Sequence, residues 1–194
     1  GVDYQMDHFV FGLSTSYLWT NASLDNNRGS MDIGTLRVGP YFSYSPMPWF
    51  VDASLTYGFH QFDTTREMQT LNSSSDGSFN GHDVLAYVRT GWTFEVDKFR
   101  ISPEASLQYL FLYQEGFTES GPYGLTVDSR DSNSLRSRIG VNANYRFEHG
   151  PIVVVPEAFV GWEHEFLAND QSITSTLPGG PSSFNIDLGS YGED

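Results

Sequence analysis

Glu163, His164 and Glu165 set an imidazole between two carboxylates, the ingredients of an acid–base pair or a metal site. Their spacing argues against it. The surrounding residues alternate with a period of two, so His164 points to the opposite face from both glutamates and the three cannot converge. His60 and the His82-Asp83 pair hold part of what a surface hydrolase needs, but no serine or second acid is placed beside them by spacing. Asn21-Ala22-Ser23 matches a glycosylation acceptor, a weak signal on its own. The expectation is a chain without catalytic residues, metal or cofactor.

Charges and glycines at one parity of the alternating segments remain. Arg89, Arg100, Arg136, Arg138 and Arg146 share a face with Asp52, Glu104, Glu157, Glu163 and Glu165. Mixed signs favour cross-strand pairing over a charge-selective filter. Glu104, Arg138 and Glu157 fall on three consecutive segments at similar heights, so Arg138 is expected within salt-bridge reach of at least one of the two glutamates. Gly12, Gly39, Gly58, Gly91, Gly140 and Gly161 lie on the same face, one in each of six segments. A glycine weakens a strand, so the repetition has a reason: clearance in an enclosed space, or relief of strain where the wall bends.

The elements that must carry these residues are long strands. From Ser134 to Phe147, Leu135, Ser137, Ile139, Val141, Ala143 and Tyr145 alternate with Arg136, Arg138, Gly140, Asn142 and Asn144. A turn at Glu148–Pro151 leads into a second strand, Val153–Phe166, and the same pattern recurs at Phe9–Thr20, around Leu36–Tyr44, Trp49–Phe59, Val84–Phe94 and Phe99–Tyr113. One face is apolar with aromatics towards its ends, and the other is charged and small. Such strands suit a barrel that turns its apolar face to lipid and its polar face to a lumen. Trp19, Leu55, Tyr57, Leu107, Tyr109, Val141 and Trp162 are then expected outside, and Asp52, Arg89, Glu104, Arg138 and Glu157 inside. Pro40 cannot donate a ladder hydrogen bond and predicts a bulge or break.

Composition excludes some alternatives. Lys and Arg total 10 against 24 Asp and Glu, a net charge of -14, so no basic stripe exists for nucleic acid. No apolar run approaches the roughly 20 residues of a membrane-spanning helix. Aromatics make up 15% of the 194 residues and cysteine is absent, the first fitting interfacial belts of tyrosine and tryptophan. The connections alternate short and long. Tight turns are expected near His8, Pro46, Asp97 and His149. Polar loops are expected at Asn21–Ser30, Thr64–Gly81, about Glu115–Asn133, and Ala168–Ser183. In bacterial outer-membrane barrels the short turns are periplasmic and the long loops external.

Three stretches carry a family likeness in order and spacing: Trp49–Arg66 (WFVDASLTYGFHQFDTTR), Gly116–Phe147 with GFTESG and DSRDSNSLRSRIGVNANYRF, and Val154–Phe166 (VVPEAFVGWEHEF). Through nearly its whole length the chain resembles the C-terminal β-barrel translocator domain of autotransporters, the type V secretion barrels of Gram-negative outer membranes. The resemblance implies an antiparallel up-and-down transmembrane β-barrel that carries an attached passenger to the cell surface. Its implied partners are outer-membrane lipid, its own passenger in cis and the outer-membrane assembly machinery. The alternative is a stand-alone porin or adhesin-like barrel. Family barrels have about a dozen strands; residues 1–194 supply seven full strands and the short Gly1–Met6 piece. The resemblance therefore implies an incomplete barrel, lacking first and final strands, plug helix and passenger. Its edges are expected at Gly1–Met6, paired to Phe9–Thr20, and at Val153–Phe166, with Phe184–Leu188 adding a stub.

Overall fold

A computed structural model describes residues 1–24, 28–167, 172–177 and 183–187. Almost every element is a strand. The wall is one antiparallel meander of β1 (Val2–Met6), β2 (Phe9–Leu24), β3 (Gly29–Tyr44), β4 (Trp49–Met68), β5 (Ser73–Trp92), β7 (Phe99–Gln114), β10 (Arg130–Tyr145) and β13 (Glu157–Glu165), paired in that order. The short β6 (Phe94–Val96) continues β5 after a break at Thr93 and pairs with β7. Among the described residues β1 pairs only with β2 and β13 only with β10, so the sheet is open, as expected of an incomplete barrel. No described helix is long and apolar enough to cross a membrane.

Parity follows the sequence reading throughout. The ladder sets Arg37, Gly58 and Asp83 level across β3, β4 and β5, and Ser106, Arg138 and Glu163 level across β7, β10 and β13. The charges and glycines at polar parity therefore share one face, called inner below. The alternating apolar series such as Trp49, Val51, Ala53, Leu55 and Tyr57 lies on the outer face, while Tyr41, Phe50, Phe62, Phe79 and Phe159 are inner. A soluble sheet would hide the apolar face under a second layer. Here Phe62 is the one buried large hydrophobic among the described residues, while Trp19, Leu55 and Trp162 are 68%, 51% and 57% exposed. The apolar surface is on the outside, where only an apolar surrounding can cover it.

The tight turns fall where expected. Met6 pairs with Phe9 around Asp7, and Val96 with Phe99 around Asp97, both turns carrying a positive φ. Gly150, at φ 59, closes the hairpin of β11 (Phe147–His149) and β12 (Ile152–Val154) with Pro151. Pro40 interrupts the β3–β4 pairing without shifting it: Val38 faces Tyr57 before the gap and Tyr41 faces Ser54 after it. It is a break, not a bulge.

The long connections differ from expectation. Residues 21–24, 29–30 and 64–68 belong to β2, β3 and β4, and the supposed loop from Thr64 to Gly81 is the tip of a hairpin whose β5 arm starts at Ser73, joined by a single 3-10 turn at Gln69–Leu71. The segment 115–133 contains β8 (Phe117–Thr118), β9 (Thr126–Val127) and the start of β10. The expected strand Val153–Phe166 is broken at Val155-Pro156, since proline offers no donor, and only β13 joins the wall. The expected stub at Phe184–Leu188 does not extend the wall. Ser183–Asp187 forms β15 and pairs with β14 (Ser172–Thr176) in a separate four-stranded sheet, β15-β14-β9-β8; Leu188 lies outside the described residues.

Candidate functional site

The inner face holds three clusters at successive heights. Nearest the turns, Arg89 donates to Asp52 Oδ2 from Nη2 at 2.8 Å and from Nε at 3.1 Å, and Ser43 donates to the other oxygen of Asp52 at 2.7 Å. Arg89 also approaches Glu104 at 3.7 Å and lies over the Phe50 ring, 5.0 Å from its centroid. The ladder makes Asp52 and Arg89 direct partners on β4 and β5, so alternation alone brings them together. These are the cross-strand pairs expected from the mixed charges.

Arg138 behaves differently. It stacks on Phe159 at 3.8 Å, and among the described residues no carboxylate lies within salt-bridge reach of it. The pairing with Glu104 or Glu157 is thus corrected: Glu104 pairs with Arg89, and Glu157 accepts a hydrogen bond from Asn142. Arg89 and Arg138 are both level with Ser106 and so equally near Glu104, which Arg89 takes while Arg138 lies on Phe159. For Glu157, register supplies the reason. Arg138 is level with Ser106 and Glu163, whereas Glu157 is level with Asn144, six residues or ~20 Å along the strand. Glu163 and Glu165 turn to Arg136, each at 3.4 Å.

The space beside the glycines is occupied. An added Cβ would meet the Tyr41 ring at Gly12, the Phe50 ring at Gly91, and the Phe159 ring at both Gly140 and Gly161. At Gly39 it would meet the β4 backbone, and at Gly58 the Asp83 carboxylate. The missing side chains make room for neighbours to lie flat on the wall, which covers weak strand positions with packed rings.

At mid-height a second cluster joins residues that no single strand pattern shows together. Asp83, 2% exposed, receives Arg37 Nη2 and His60 Nε2 on the same oxygen, each at 2.5 Å. The other ring nitrogen of His60 lies 2.9 Å from Thr35 Oγ1. Arg37 reaches from β3 to β5 across β4 because Gly58 stands between. Parity could have grouped these residues; the reach across three strands was missed. His82 goes the other way, to the outer face, where its Nδ1 lies 2.6 Å from Tyr57 Oη. The His82-Asp83 pair is therefore split between faces.

The third cluster lies above these. Phe62, Phe79 and Phe117 stack at 4.7 and 4.3 Å, and Arg66 grips Glu119, whose side chain is 8% exposed. That hydrogen-bonded partner raises the Arg66 guanidinium above its ordinary pKa, against the opposing effect of burial. On the outer face, rings gather near the turns as Phe9, Phe11, Phe42, Tyr44 and Trp49. They gather again further up as Tyr57, Phe59 and His82, and as Trp162, His164 and Phe166. Along β4 the two gatherings run from Trp49 to Phe59, ten residues or ~33 Å of strand, which at a tilt of about 40° crosses ~25 Å, the height of a transmembrane apolar band.

An autotransporter β-domain family model matches residues 1–194. The structure is similar to the β-domain of the Bordetella autotransporter BrkA, with TM-score 0.68, 15% identity, and 97% of this chain and 82% of that one covered. It is also similar to the translocator domain of NalP from Neisseria meningitidis, with TM-score 0.64, 15% identity, and 94% and 72% covered. Among curated proteins, an extracellular serine protease of Serratia marcescens is 23% identical over 115 residues, 57% of this chain and 11% of the relative. The esterase EstA of Pseudomonas aeruginosa is 25% identical over 145 residues, 71% of this chain and 22% of the relative. The chain thus spans between a tenth and a quarter of the curated relatives it matches.

Proposed function

The chain belongs to the autotransporter β-domain family, the integral barrels of the outer membrane, and from that premise we propose that residues 1–194 form part of a translocator wall that carries an attached passenger to the cell surface. The observation that carries this reading is the outer apolar band, bounded by two aromatic belts about a bilayer apart, over an inner face of paired charges. In this reading the inner face, including Gly12, Gly39, Asp52, Gly58, Arg89, Gly91, Glu104, Arg138, Gly140, Glu157 and Gly161, lines the lumen. The tight turns are periplasmic, and the β4–β5 tip and the four-stranded sheet stand outside the cell.

The partners are outer-membrane lipid, the passenger in cis and the machinery that inserts barrels. Neither catalysis nor a cofactor is assigned to this chain; any enzymatic activity resides in the passenger. Surface proteolysis of intact cells producing the natural full-length protein tests the reading. The passenger is expected to be cleaved from outside, and Leu107→Arg, which places a charge on the outer band, is expected to abolish both barrel folding and cleavage. A passenger that stays protected in the wild type, or is exposed without a folded barrel, overturns it.

A further inference from the structure

Beyond Phe59, β4 and β5 continue as a hairpin to Met68 and Ser73, and the small sheet of β8, β9, β14 and β15 leans on its inner side. The contact is a built seat. The Phe117 ring lies parallel to Phe79, 9° between planes, over Gly77, where a Cβ would come within 2.5 Å of it. Arg66 holds the Glu119 carboxylate through Nη2 at 2.5 Å and Nε at 3.1 and 3.2 Å, and also donates to Tyr123 O at 3.0 Å. Glu119 further accepts from Leu125 N at 3.0 Å, and Ser120 N donates to Asp76 O at 2.7 Å. At its other side the sheet binds a segment that follows β13: Ser175 and Thr176 pair with Val127 and Thr126, and Asp128 N donates to Thr174 O at 3.1 Å. In the wall, β5 and β13 are separated by β7 and β10. The small sheet is seated on the β4–β5 tip and pairs with the segment that follows β13.

We propose that this sheet is a lid on the loop-side mouth of the lumen, hinged where β7 and β10 enter it and latched by Arg66 and Glu119; the proposal rests on the translocator reading. Its strength is local. The wall is held by ladders such as the full-length pairing of β4 and β5, whereas β8 pairs with β9 through two residue pairs and β9 with β14 through two more. Swinging the lid out breaks the latch, the ring stack and the Ser120–Asp76 bond, and leaves every wall ladder intact. Elements with few buried contacts on a rigid rim are those that open locally. Glu119 is buried, and releasing Arg66 leaves its carboxylate only the Leu125 N–H, a charge that hydration must then satisfy, so the latch is either gripped or opened to water.

Residues 1–194 contain no cysteine, so a disulfide introduced here has no competing thiol within them. Ser75→Cys with Gly121→Cys in the full-length protein places two thiols across the seat, since a Cβ at Gly121 would lie 3.5 Å from Ser75 Oγ and 4.0 Å from Ser75 Cα, within the reach of a disulfide. The oxidised protein is expected to fold, judged by heat-modifiable migration, while passenger exposure on intact cells falls to background; reductant restores it. A folded, locked protein that exposes its passenger as the wild type does overturns the lid, while a wild type that exposes none overturns the translocator reading instead. A second arm does not depend on the disulfide. Glu119→Gln and Arg66→Gln are each expected to raise uptake of a bulky antibiotic across the outer membrane, and the double variant to raise it no further than either alone. Wild-type uptake by a folded Glu119→Gln protein overturns the latch.

Discussion

The lower and upper halves of the β4–β5 hairpin share one unbroken ladder, from Trp49 paired with Trp92 to Met68 paired with Ser73, yet obey different side-chain rules. Below Phe59 the outer residues are Trp49, Val51, Ala53, Leu55 and Tyr57; above it they are Gln61, Asp63, Thr65 and Glu67. The inner face changes in the opposite sense, from Asp52, Ser54 and Thr56 below to the stacked Phe62 and Phe79 above. The backbone needs its ladder at both heights, while apolar side chains go wherever water is absent: to the outside at the level of the bilayer, and beneath the small sheet beyond it. The strand is a property of the ladder, and the alternation is a property of what touches it.

The sharpest way to break the comparison is to remove the buried counter-charge of the lower half. Asp83→Ala leaves Arg37 and His60 without their shared partner on the inner wall, and a loss of about 3–5 kcal/mol is expected in a urea refolding titration into lipid. Next in size, Leu55→Arg and Gln61→Arg put the same charge on the same face of the same strand at two heights. The first is expected to cost about 2–4 kcal/mol and the second close to nothing. Equal costs at both positions would remove the boundary between the halves.

That boundary explains what the sequence disclosed and what it hid. At the bilayer level one face is apolar, so parity is legible: Leu55, Leu107 and Trp162 stand on the outer face, and Asp52 pairs with Arg89 as opposite charges on facing strands should. Above it Asp63, Thr65 and Glu67 share a face with no apolar contrast, so the strand continued unseen and looked like a loop. The Arg37–Asp83–His60 cluster hid for a different reason. Its reach across β4 depends on the side chain that Gly58 lacks, which no pairwise pattern records. Arg138 was misassigned although its level can be counted from the turn. The β11–β12 hairpin continues the register of β10 and β13, Phe147 facing Val154 as Arg138 faces Glu163, so Glu157 lies six residues nearer the turn than the partner level of Arg138.

A smaller effect separates the two readings of the inner glycines. A Cβ on Gly12 would fall 2.1 Å from the Tyr41 ring and meets nothing else so close. Gly12→Ala is expected to cost about 1–3 kcal/mol by displacing that ring, and Tyr41→Ala in the same protein to recover most of the loss. If the glycine only relieved strain in a bent wall, the second substitution would recover nothing. The refolding titration distinguishes the two through the coupling between the sites.

The smallest expected effect lies at the other end of the molecule, outside both halves. Arg146 donates to Glu148 Oε1 at 2.6 Å beside the Gly150 turn, and this bond, helped by the charges of Arg146 and Lys98, holds the Glu148 carboxyl below its ordinary pKa. A carboxyl depressed in the folded state stabilises that state fully above its unfolded pKa, because the unfolded chain then binds the proton more readily. The contribution fades as pH falls from the ordinary glutamate range through the depressed folded value. Both side chains are about half exposed, so solvent and salt screen the pair and the contribution is small. Glu148→Gln is therefore expected to leave stability at neutral pH nearly unchanged and to flatten slightly the acid limb of the stability profile, a difference that disappears at high salt. An acid limb steeper in the variant than in the wild type would contradict the assignment.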